Sequence, residues 1–147
     1  MNILIIEDSV VDALLLQRAI ESIHGVDINI IKVSTMKDAL SNRKNADAVL
    51  LDLCLPDSSP DESIKMVPSF DCPLFIVSGN CDPIQAARAI QLGAAGIILK
   101  TSRFKEYIMW ASCLVTKGYF ARRRKICDRY IMIILITIIG ILLCFAF

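Results

Sequence analysis

A short apolar run that ends in a carboxylate constrains the fold of this chain more than any other segment. Residues 48–56 read Ala-Val-Leu-Leu-Asp-Leu-Cys-Leu-Pro, so that four apolar residues lead into Asp52 and Pro56 ends the pattern. Such a run predicts a strand buried on both faces, as in a parallel sheet. An aspartate at the exit of this strand lies where open α/β sheets bind their ligands. Taken alone, however, Asp52 is more readily explained as a cap of the next loop or helix.

Strands and helices alternate along residues 1–118, which predicts an α/β fold. Each predicted strand is a short, β-branched-rich apolar run, and each is followed by residues with helical spacing or a helix cap. Five β/α units in strict alternation imply a doubly wound, five-stranded parallel sheet with helices on both faces. The predicted strands are residues 3–6, 26–33, 48–52, 73–77 and 96–99, and the predicted helices lie near residues 9–25, 35–43, 61–70, 83–92 and 102–115.

Cap residues mark the starts of three of these helices. Asp8 or Ser9 precedes the first helix, and Ser34 or Thr35 precedes the second. Asp82 stands directly before a proline, which is the usual order of an N-cap and a first helical residue.

Polar residues stand at the ends of four of the five predicted strands. Glu7 and Asp8 follow the first strand, Asp52 ends the third, and Ser78 and Lys100 follow the fourth and fifth. In a doubly wound sheet these ends lie along one edge, so the five side chains can converge on one crevice. Three carboxylates so close repel each other, and Lys100 supplies only one positive charge. The remaining charge suits Mg²⁺, a hard cation held by carboxylates and water.

This group of side chains has the chemistry needed to transfer a phosphoryl group to a carboxylate. The metal and Lys100 would neutralise charge on the transferring oxygens, and the Ser78 hydroxyl would donate to one of them. The product would be an acyl phosphate on Asp52, a covalent species known for aspartate. Four companions at neighbouring strand ends therefore favour a functional role for Asp52 over a capping role.

Residues 1–118 resemble the receiver domain of two-component response regulators. The matching segments are Ile-Ile-Glu-Asp-Ser at residues 5–9, Leu-Leu-Asp-Leu-Cys-Leu-Pro at 50–56, Ile-Val-Ser-Gly at 76–79 and Gly-Ile-Ile-Leu-Lys at 96–100. Each segment is short, but their order and their places at strand ends make the combination specific. The resemblance implies a flavodoxin-like sheet with strand order 2-1-3-4-5. It also implies a phosphoryl acceptor rather than an enzyme, with a histidine kinase or a phosphotransfer protein as the donor.

The resemblance assigns a role in phosphoryl transfer to four residues. Asp52 matches the aspartate that accepts the phosphoryl group, and Lys100 matches the lysine that forms a salt bridge with it. Ser78 matches the hydroxyl residue that senses the group. Gly79 matches the small residue that gives the group access to the site.

The resemblance also implies a Mg²⁺ site. Asp8 matches the acidic residue that binds the metal directly, and Glu7 matches its neighbour, which binds through water. Asp52 would be a further ligand. Cys54 would contribute its backbone carbonyl, so its side chain would not take part.

Three positions depart from the pattern of the family. Thr101 follows Lys100 where the family usually has a proline after a cis peptide, and Pro60 stands where glycine is often found. Ile97 occupies the switch position three residues before Lys100, which often holds an aromatic residue that swings inward on phosphorylation. These departures motivate a second hypothesis, in which the chain is a membrane-anchored adaptor that is not phosphorylated and uses the receiver fold only for binding.

Two other types of site are disfavoured by residue spacing. The six cysteines show no Cys-x-x-Cys spacing and only one histidine is present, which argues against a zinc site. Haloacid-dehalogenase-like phosphatases also combine Asp, Ser or Thr, and Lys. They require a second aspartate two residues after the nucleophile, and Cys54 occupies that place here.

The last 29 residues differ sharply in composition from the rest of the chain. Residues 122–125 read Arg-Arg-Arg-Lys, and residues 131–147 hold fifteen apolar residues out of seventeen with no charge. Counted from Tyr130, the run would extend about 27 Å as a helix, which is close to the roughly 30 Å of a hydrocarbon core. We therefore predict a basic juxtamembrane linker at 119–129 and a transmembrane helix at 130–147. By the positive-inside rule, the receiver domain would face the cytoplasm from the cytoplasmic membrane.

Two other interpretations of this tail remain open. The apolar run could form a buried or self-associating helix instead of crossing a membrane. The basic cluster at 122–125 could bind nucleic acid. Four charges beside an apolar helix fit anionic lipid headgroups better, so nucleic acid is the lesser alternative. The leading hypothesis is a receiver domain, anchored to the membrane through residues 130–147, that signals by protein–protein contacts.

Overall fold

A computed structural model describes residues 1–22, 27–79 and 82–100, and within them five strands form one parallel sheet. Every pair of neighbouring strands is parallel, and the strand order is 2-1-3-4-5. The predicted α/β fold and strand order are thus confirmed. The strands are β1 (Asn2–Ile6), β2 (Asn29–Val33), β3 (Ala48–Leu51), β4 (Leu74–Ser78) and β5 (Gly96–Leu99).

Each α-helix in the described part of the chain begins at a side-chain cap. Ser9, Thr35, Ser59 and Asp82 each accept a hydrogen bond from a backbone N–H of the following turn. These bonds satisfy amides that have no partner inside the helix. The helices are α1 (Val10–Glu21), α2 (Met36–Asn42), α3 (Pro60–Lys65) and α4 (Pro83–Gln91), and the predicted fifth helix at 102–115 lies outside the described residues.

Three predicted boundaries were wrong. The second strand begins at Asn29 rather than at residue 26, and α1 ends at Glu21 rather than near residue 25. The third helix, predicted over 61–70, ends at Lys65 and is followed by a 3-10 turn at Val67–Ser69. Pro68 explains this break, because a proline ring clashes with the carbonyl four residues earlier and lacks the N–H that the helix needs.

The core lies on both faces of the sheet. On one face, alternate strand residues such as Leu4, Leu51 and Ile76 pack with buried residues of α2, α3 and α4. On the other face, the intervening residues, such as Ile5 and Leu50, pack with α1. A central strand of a parallel sheet is covered on both faces, which is why the run before Asp52 is apolar without alternation.

Most of the large apolar residues of α1 lie outside the face that packs on the sheet. Ala13, Leu16, Ala19 and Ile20 are buried against the sheet. The residues whose spacing predicted the helix are largely exposed. These exposed residues are Val10, Val11, Leu14 and Leu15.

In the described part of the chain, no helix has the length and apolarity required to cross a bilayer. The predicted linker at 119–129 and the predicted transmembrane helix at 130–147 lie outside the described residues.

Candidate functional site

The hydrogen bonds of the sheet continue one residue beyond three of its strands and hold the candidate residues in place. The backbone N–H of Asp52 donates to the carbonyl of Ile6 over 2.9 Å, and that of Lys100 donates to the carbonyl of Ser78 over 2.9 Å. Glu7 donates in the same way to Val33 over 3.0 Å. The backbones of Glu7, Asp52 and Lys100 are therefore held by the hydrogen-bond ladder of the sheet.

The ammonium group of Lys100 lies at the centre of the site. Its Nζ atom donates to Glu7 Oε2 at 2.7 Å, to Asp12 Oδ2 at 2.8 Å and to Asp52 Oδ2 at 2.8 Å. The side chains of Glu7 and Asp52 are almost fully buried, whereas that of Asp12 is partly exposed. One cation thus neutralises part of the charge of three carboxylates.

Asp12 is a site residue that the sequence did not reveal. It belongs to the first turn of α1, where its backbone N–H donates to the cap residue Ser9. An acidic residue in this position is ordinarily explained by the positive end of the helix dipole. A second carboxylate four residues after Asp8 was the only available signal, and it is not specific.

Three carboxylates form a cluster suited to a divalent cation. Oxygen atoms of Glu7, Asp8 and Asp52 all lie within 4.8 Å of one another. Glu7 and Asp52 are buried, and Asp8 is exposed to solvent. Mg²⁺ prefers oxygen ligands. Here they would be carboxylate oxygens on the buried side and water molecules on the exposed side. The side chains present therefore fit such an ion.

The carboxylate of Asp52 is held through both of its oxygens. Oδ2 accepts from Lys100, and Oδ1 accepts from the backbone N–H of Cys54 at 3.1 Å. The second bond closes a turn directly after β3, in which an aspartate binds the backbone two residues on. The Cys54 side chain is exposed. Asp52 is thus oriented by local backbone on one side and by a distant strand on the other.

Electrostatics at this edge of the sheet favour additional positive charge. Burial raises the pKa of Glu7 to about 7, and the charge of Asp52 adds to this effect, while the hydrogen bond from Lys100 opposes it. For Lys100, burial disfavours the charged form, but the hydrogen bonds to Asp12, Asp52 and Glu7 outweigh burial and raise its pKa above the ordinary value. Lys100 is therefore a permanent cation, and the buried carboxylates still exceed it in charge.

Of Ser78, Gly79 and Ile97, the structure links Ser78 directly to a site residue, since its carbonyl accepts from the backbone N–H of Lys100. Ser78 is fully buried at the end of β4, the strand between β3 and β5. Gly79 follows it and faces open space, because a Cβ atom added there meets no atom within 4 Å. Ile97 pairs with Ile76 and packs partly buried against the core on the α2–α4 side.

The loop after Asp52 is tied to a neighbouring helix, which the sequence did not reveal. The carboxylate of Asp57 accepts from the backbone N–H of Met36 at 2.9 Å and of Lys37 at 3.1 Å. These bonds hold its pKa below the ordinary value. Of the departures from the family pattern, Pro60 occupies the first position of α3, where proline is favoured, and Thr101 lies outside the described residues.

Comparisons with known proteins agree with this geometry. The family model of the response regulator receiver domain matches residues 3–109. A receiver domain of a response regulator from Rhodospirillum rubrum is 27% identical, with a TM-score of 0.68 over 80% of this chain and 94% of that one. A search of curated proteins finds no match.

Two further solved structures share the fold. The phosphorylated cyanobacterial phytochrome response regulator RcpA is 18% identical, with a TM-score of 0.69 over 80% of this chain and 94% of its own. The Mn²⁺-bound form of response regulator Rcp1 is 17% identical, with a TM-score of 0.62 over 83% of this chain and 96% of its own. At these identities the likeness concerns the fold alone.

Proposed function

The chain belongs to the response regulator receiver domain family, and we propose that it accepts a phosphoryl group on Asp52. The contact between Lys100 and Asp52, within a cluster of carboxylates at the sheet edge, carries this proposal. A carboxylate held through one oxygen by a backbone N–H and through the other by a lysine is oriented for reaction. The residue types are those needed to attack phosphorus and to neutralise the charge that develops.

In the proposed step, a carboxylate oxygen of Asp52 attacks the phosphorus atom of a phosphohistidine or of a small acyl phosphate. The new bond joins this oxygen to phosphorus, and the bond from phosphorus to the leaving nitrogen or oxygen breaks. The leaving group takes the electron pair of the broken bond. Lys100 neutralises charge on the phosphoryl oxygens, the Ser78 hydroxyl donates to one of them, and Gly79 leaves room for the group to enter.

The same proposal includes a divalent cation. Glu7, Asp8 and Asp52 would hold Mg²⁺, together with the backbone carbonyl of Cys54. When bound, the ion supplies positive charge that stabilises the transferring phosphoryl group. The acidic cluster supports this assignment, and so does the relative Rcp1, which is described in a Mn²⁺-bound form.

A histidine kinase or a phosphotransfer protein would be the phosphoryl donor, and the output would be a protein–protein contact. We also propose that residues 130–147 anchor the chain in the cytoplasmic membrane, with 119–129 as a basic linker on the cytoplasmic side. The support is the uncharged apolar run that follows the Arg-Arg-Arg-Lys cluster at 122–125. Fractionation of cells that express the chain with and without residues 119–147 tests the anchor. Recovery of the full chain in the soluble fraction would contradict it.

Formation of an acyl phosphate tests the main proposal. The wild-type protein should form a Mg²⁺-dependent, acid-stable and alkali-labile phosphoprotein with acetyl phosphate or with a kinase, and Asp52→Asn should abolish it. Asp61→Asn is a matched control, because Asp61 is an exposed aspartate in α3 whose ion-pair partner is Arg88. Its labelling should equal that of the wild type. Absence of labelling of the wild type with both donors would contradict the proposal.

A second candidate function is that of an adaptor that binds partners without phosphorylation. Ile97 favours it, because this residue packs against the core at the place where the family often has a mobile aromatic residue. The adaptor hypothesis predicts that Asp52→Asn leaves partner binding and phenotype unchanged. The phosphorylation hypothesis predicts that the same variant changes both.

A further inference from the structure

We infer that Asp12 competes with the phosphoryl group for Lys100 and thereby limits how much of the protein is phosphorylated. Asp12 lies in the first turn of α1, and its Oδ2 atom accepts a hydrogen bond from Lys100 Nζ at 2.8 Å. The inference rests on the proposed function, since it concerns the lysine that would contact the phosphoryl group. Asp12 would act through Lys100, as a positioning residue.

Lys100 has no spare hydrogen-bond donor for a phosphoryl group. An ammonium group has three N–H donors. All three are used, at 2.7 Å to Glu7, 2.8 Å to Asp12 and 2.8 Å to Asp52. A phosphoryl group on Asp52 brings three new acceptor oxygens to the same ammonium. Lys100 must therefore redistribute its donors, and at least one carboxylate loses part of its contact.

Solvent exposure decides which carboxylate gives way. The exposed fraction of the side chain is 1% for Glu7, 6% for Asp52 and 35% for Asp12. Without Lys100, Glu7 would keep the backbone N–H of Ser9 and Asp52 that of Cys54, but the buried charge itself would lack a counter-ion. Loss of a counter-ion inside the protein costs far more than the return of an exposed carboxylate to water. Water can reach Asp12, so the contact with Asp12 is the one released at the least cost.

The position of Asp12 outside the acidic cluster also favours release of its contact with Lys100. Glu7 and Asp52 share a site with Asp8, where a cation would replace the charge of Lys100, and Asp12 does not belong to that group of ligands. When Lys100 turns to the phosphoryl group, water and the positive end of the α1 dipole can compensate the partly exposed Asp12. The ion pair between Asp12 and Lys100 therefore stabilises the unphosphorylated form. For a partly exposed pair, the expected effect on the equilibrium is about two- to fivefold.

The test uses beryllofluoride as a stable phosphoryl mimic on the full chain with Mg²⁺. Asp12→Asn keeps the size of the side chain and an acceptor oxygen but removes the charge. It should lower the Kd for beryllofluoride by about two- to fivefold and raise the steady-state fraction phosphorylated by acetyl phosphate. Asp12→Glu, which retains the charge, should stay close to the wild type. Thermal unfolding of each variant shows whether the fold is kept.

Asp38→Asn is the matched control for charge alone. Asp38 is exposed, lines the same groove as Glu7 and Asp8, and accepts from Thr35 rather than from Lys100. A general effect of negative charge on anion binding would appear in both variants and would fade as KCl rises from about 0.05 to about 0.5 M. The proposed effect appears only in Asp12→Asn and persists at the higher salt concentration.

An unchanged or higher Kd in Asp12→Asn would overturn the inference, and so would an equal change in Asp38→Asn. If the wild type is phosphorylated but Asp12→Asn and Asp38→Asn have the same Kd for beryllofluoride, the inference about Asp12 fails while the proposed function stands. If the wild type neither binds beryllofluoride nor forms an acyl phosphate, the proposed function fails and the inference falls with it.

Discussion

The Nζ atom of Lys100 lies 2.8 Å from Oδ2 of Asp52, although 48 residues and the whole of β4 separate the two side chains in the fold. The same ammonium contacts Glu7 at 2.7 Å. Both carboxylates are buried, so this contact is both a feature of the site and a condition for the stability of the sheet edge.

Replacement of Lys100 should destabilise the protein strongly when no metal is present. Lys100→Met leaves Glu7 and Asp52 buried without a cation, which should lower the free energy of unfolding by about 3–5 kcal/mol. Urea denaturation in EDTA measures it, and added Mg²⁺ should recover part of the loss. Lys65→Met, at an exposed position in α3, should change stability by less than about 0.5 kcal/mol. Equal stabilities of the two variants would contradict the role of Lys100.

The stability of the metal-free protein should fall as pH rises from about 5 to 7. The pKa of Glu7 is about 7 in the folded protein against an ordinary value of 4.5, so the folded chain holds this proton in a range where the unfolded chain has lost it. Its contribution is therefore complete below pH 4.5 and is lost as pH rises to about 7. The limiting slope is about 1.4 kcal/mol per pH unit.

Urea denaturation in EDTA across this range measures the dependence on Glu7. Glu7→Gln should flatten the slope, because it removes the titrating group and keeps its shape. Stabilisation by Mg²⁺ should grow with pH in the wild type, since a cation displaces the proton. The interpretation would be wrong if Glu7→Gln retained the slope of the wild type.

The loop after Asp52 should loosen when its contact with α2 is removed. Asp57→Asn keeps one acceptor oxygen for the amides of Met36 and Lys37 but loses the charge, and should lower the Tm at pH 7 by about 2–5 °C. The pKa of Asp57 is lowered, so its contribution is present above pH 3.8 and is lost as pH falls. The difference in Tm should therefore narrow in acid. Asp61→Asn is the control, and an equal loss of Tm in it would refute the prediction.

Two glycines should respond oppositely to alanine. Gly93 has a φ of 104°, a conformation that favours glycine, so Gly93→Ala should cost about 1 kcal/mol or more. Gly79 lies next to open space, and Gly79→Ala should leave stability unchanged or slightly higher. If Gly79 admits the phosphoryl group, Gly79→Ala should still slow labelling by acetyl phosphate. A Tm loss in Gly79→Ala as large as that in Gly93→Ala would contradict the open space seen next to Gly79.

The architecture was predictable from sequence because its signals are local. A few adjacent residues are enough to recognise the apolar strand before Asp52, which is buried on both faces. The same is true of the alternation of strands with helices and of caps such as Asp82. Errors arose where local signals were ambiguous. Both faces of α1 carry apolar residues at helical spacing, so spacing could not show that Leu16 and Ile20 pack on the sheet while Val10 and Val11 are exposed.

The sequence by itself determined which side chains share one edge of the sheet, because parallel strands always present their carboxyl ends together. It could not show which carboxylates Lys100 contacts, or that Asp12, 88 residues away in the chain, is one of them. Nor could it show that Asp57 accepts from the first two amides of α2. Those contacts depend on the distances and rotations of the elements that pack on the sheet. Packing must set them accurately enough for a hydrogen bond to form. Residue spacing along the chain does not encode that distance, so only the tertiary structure decided it.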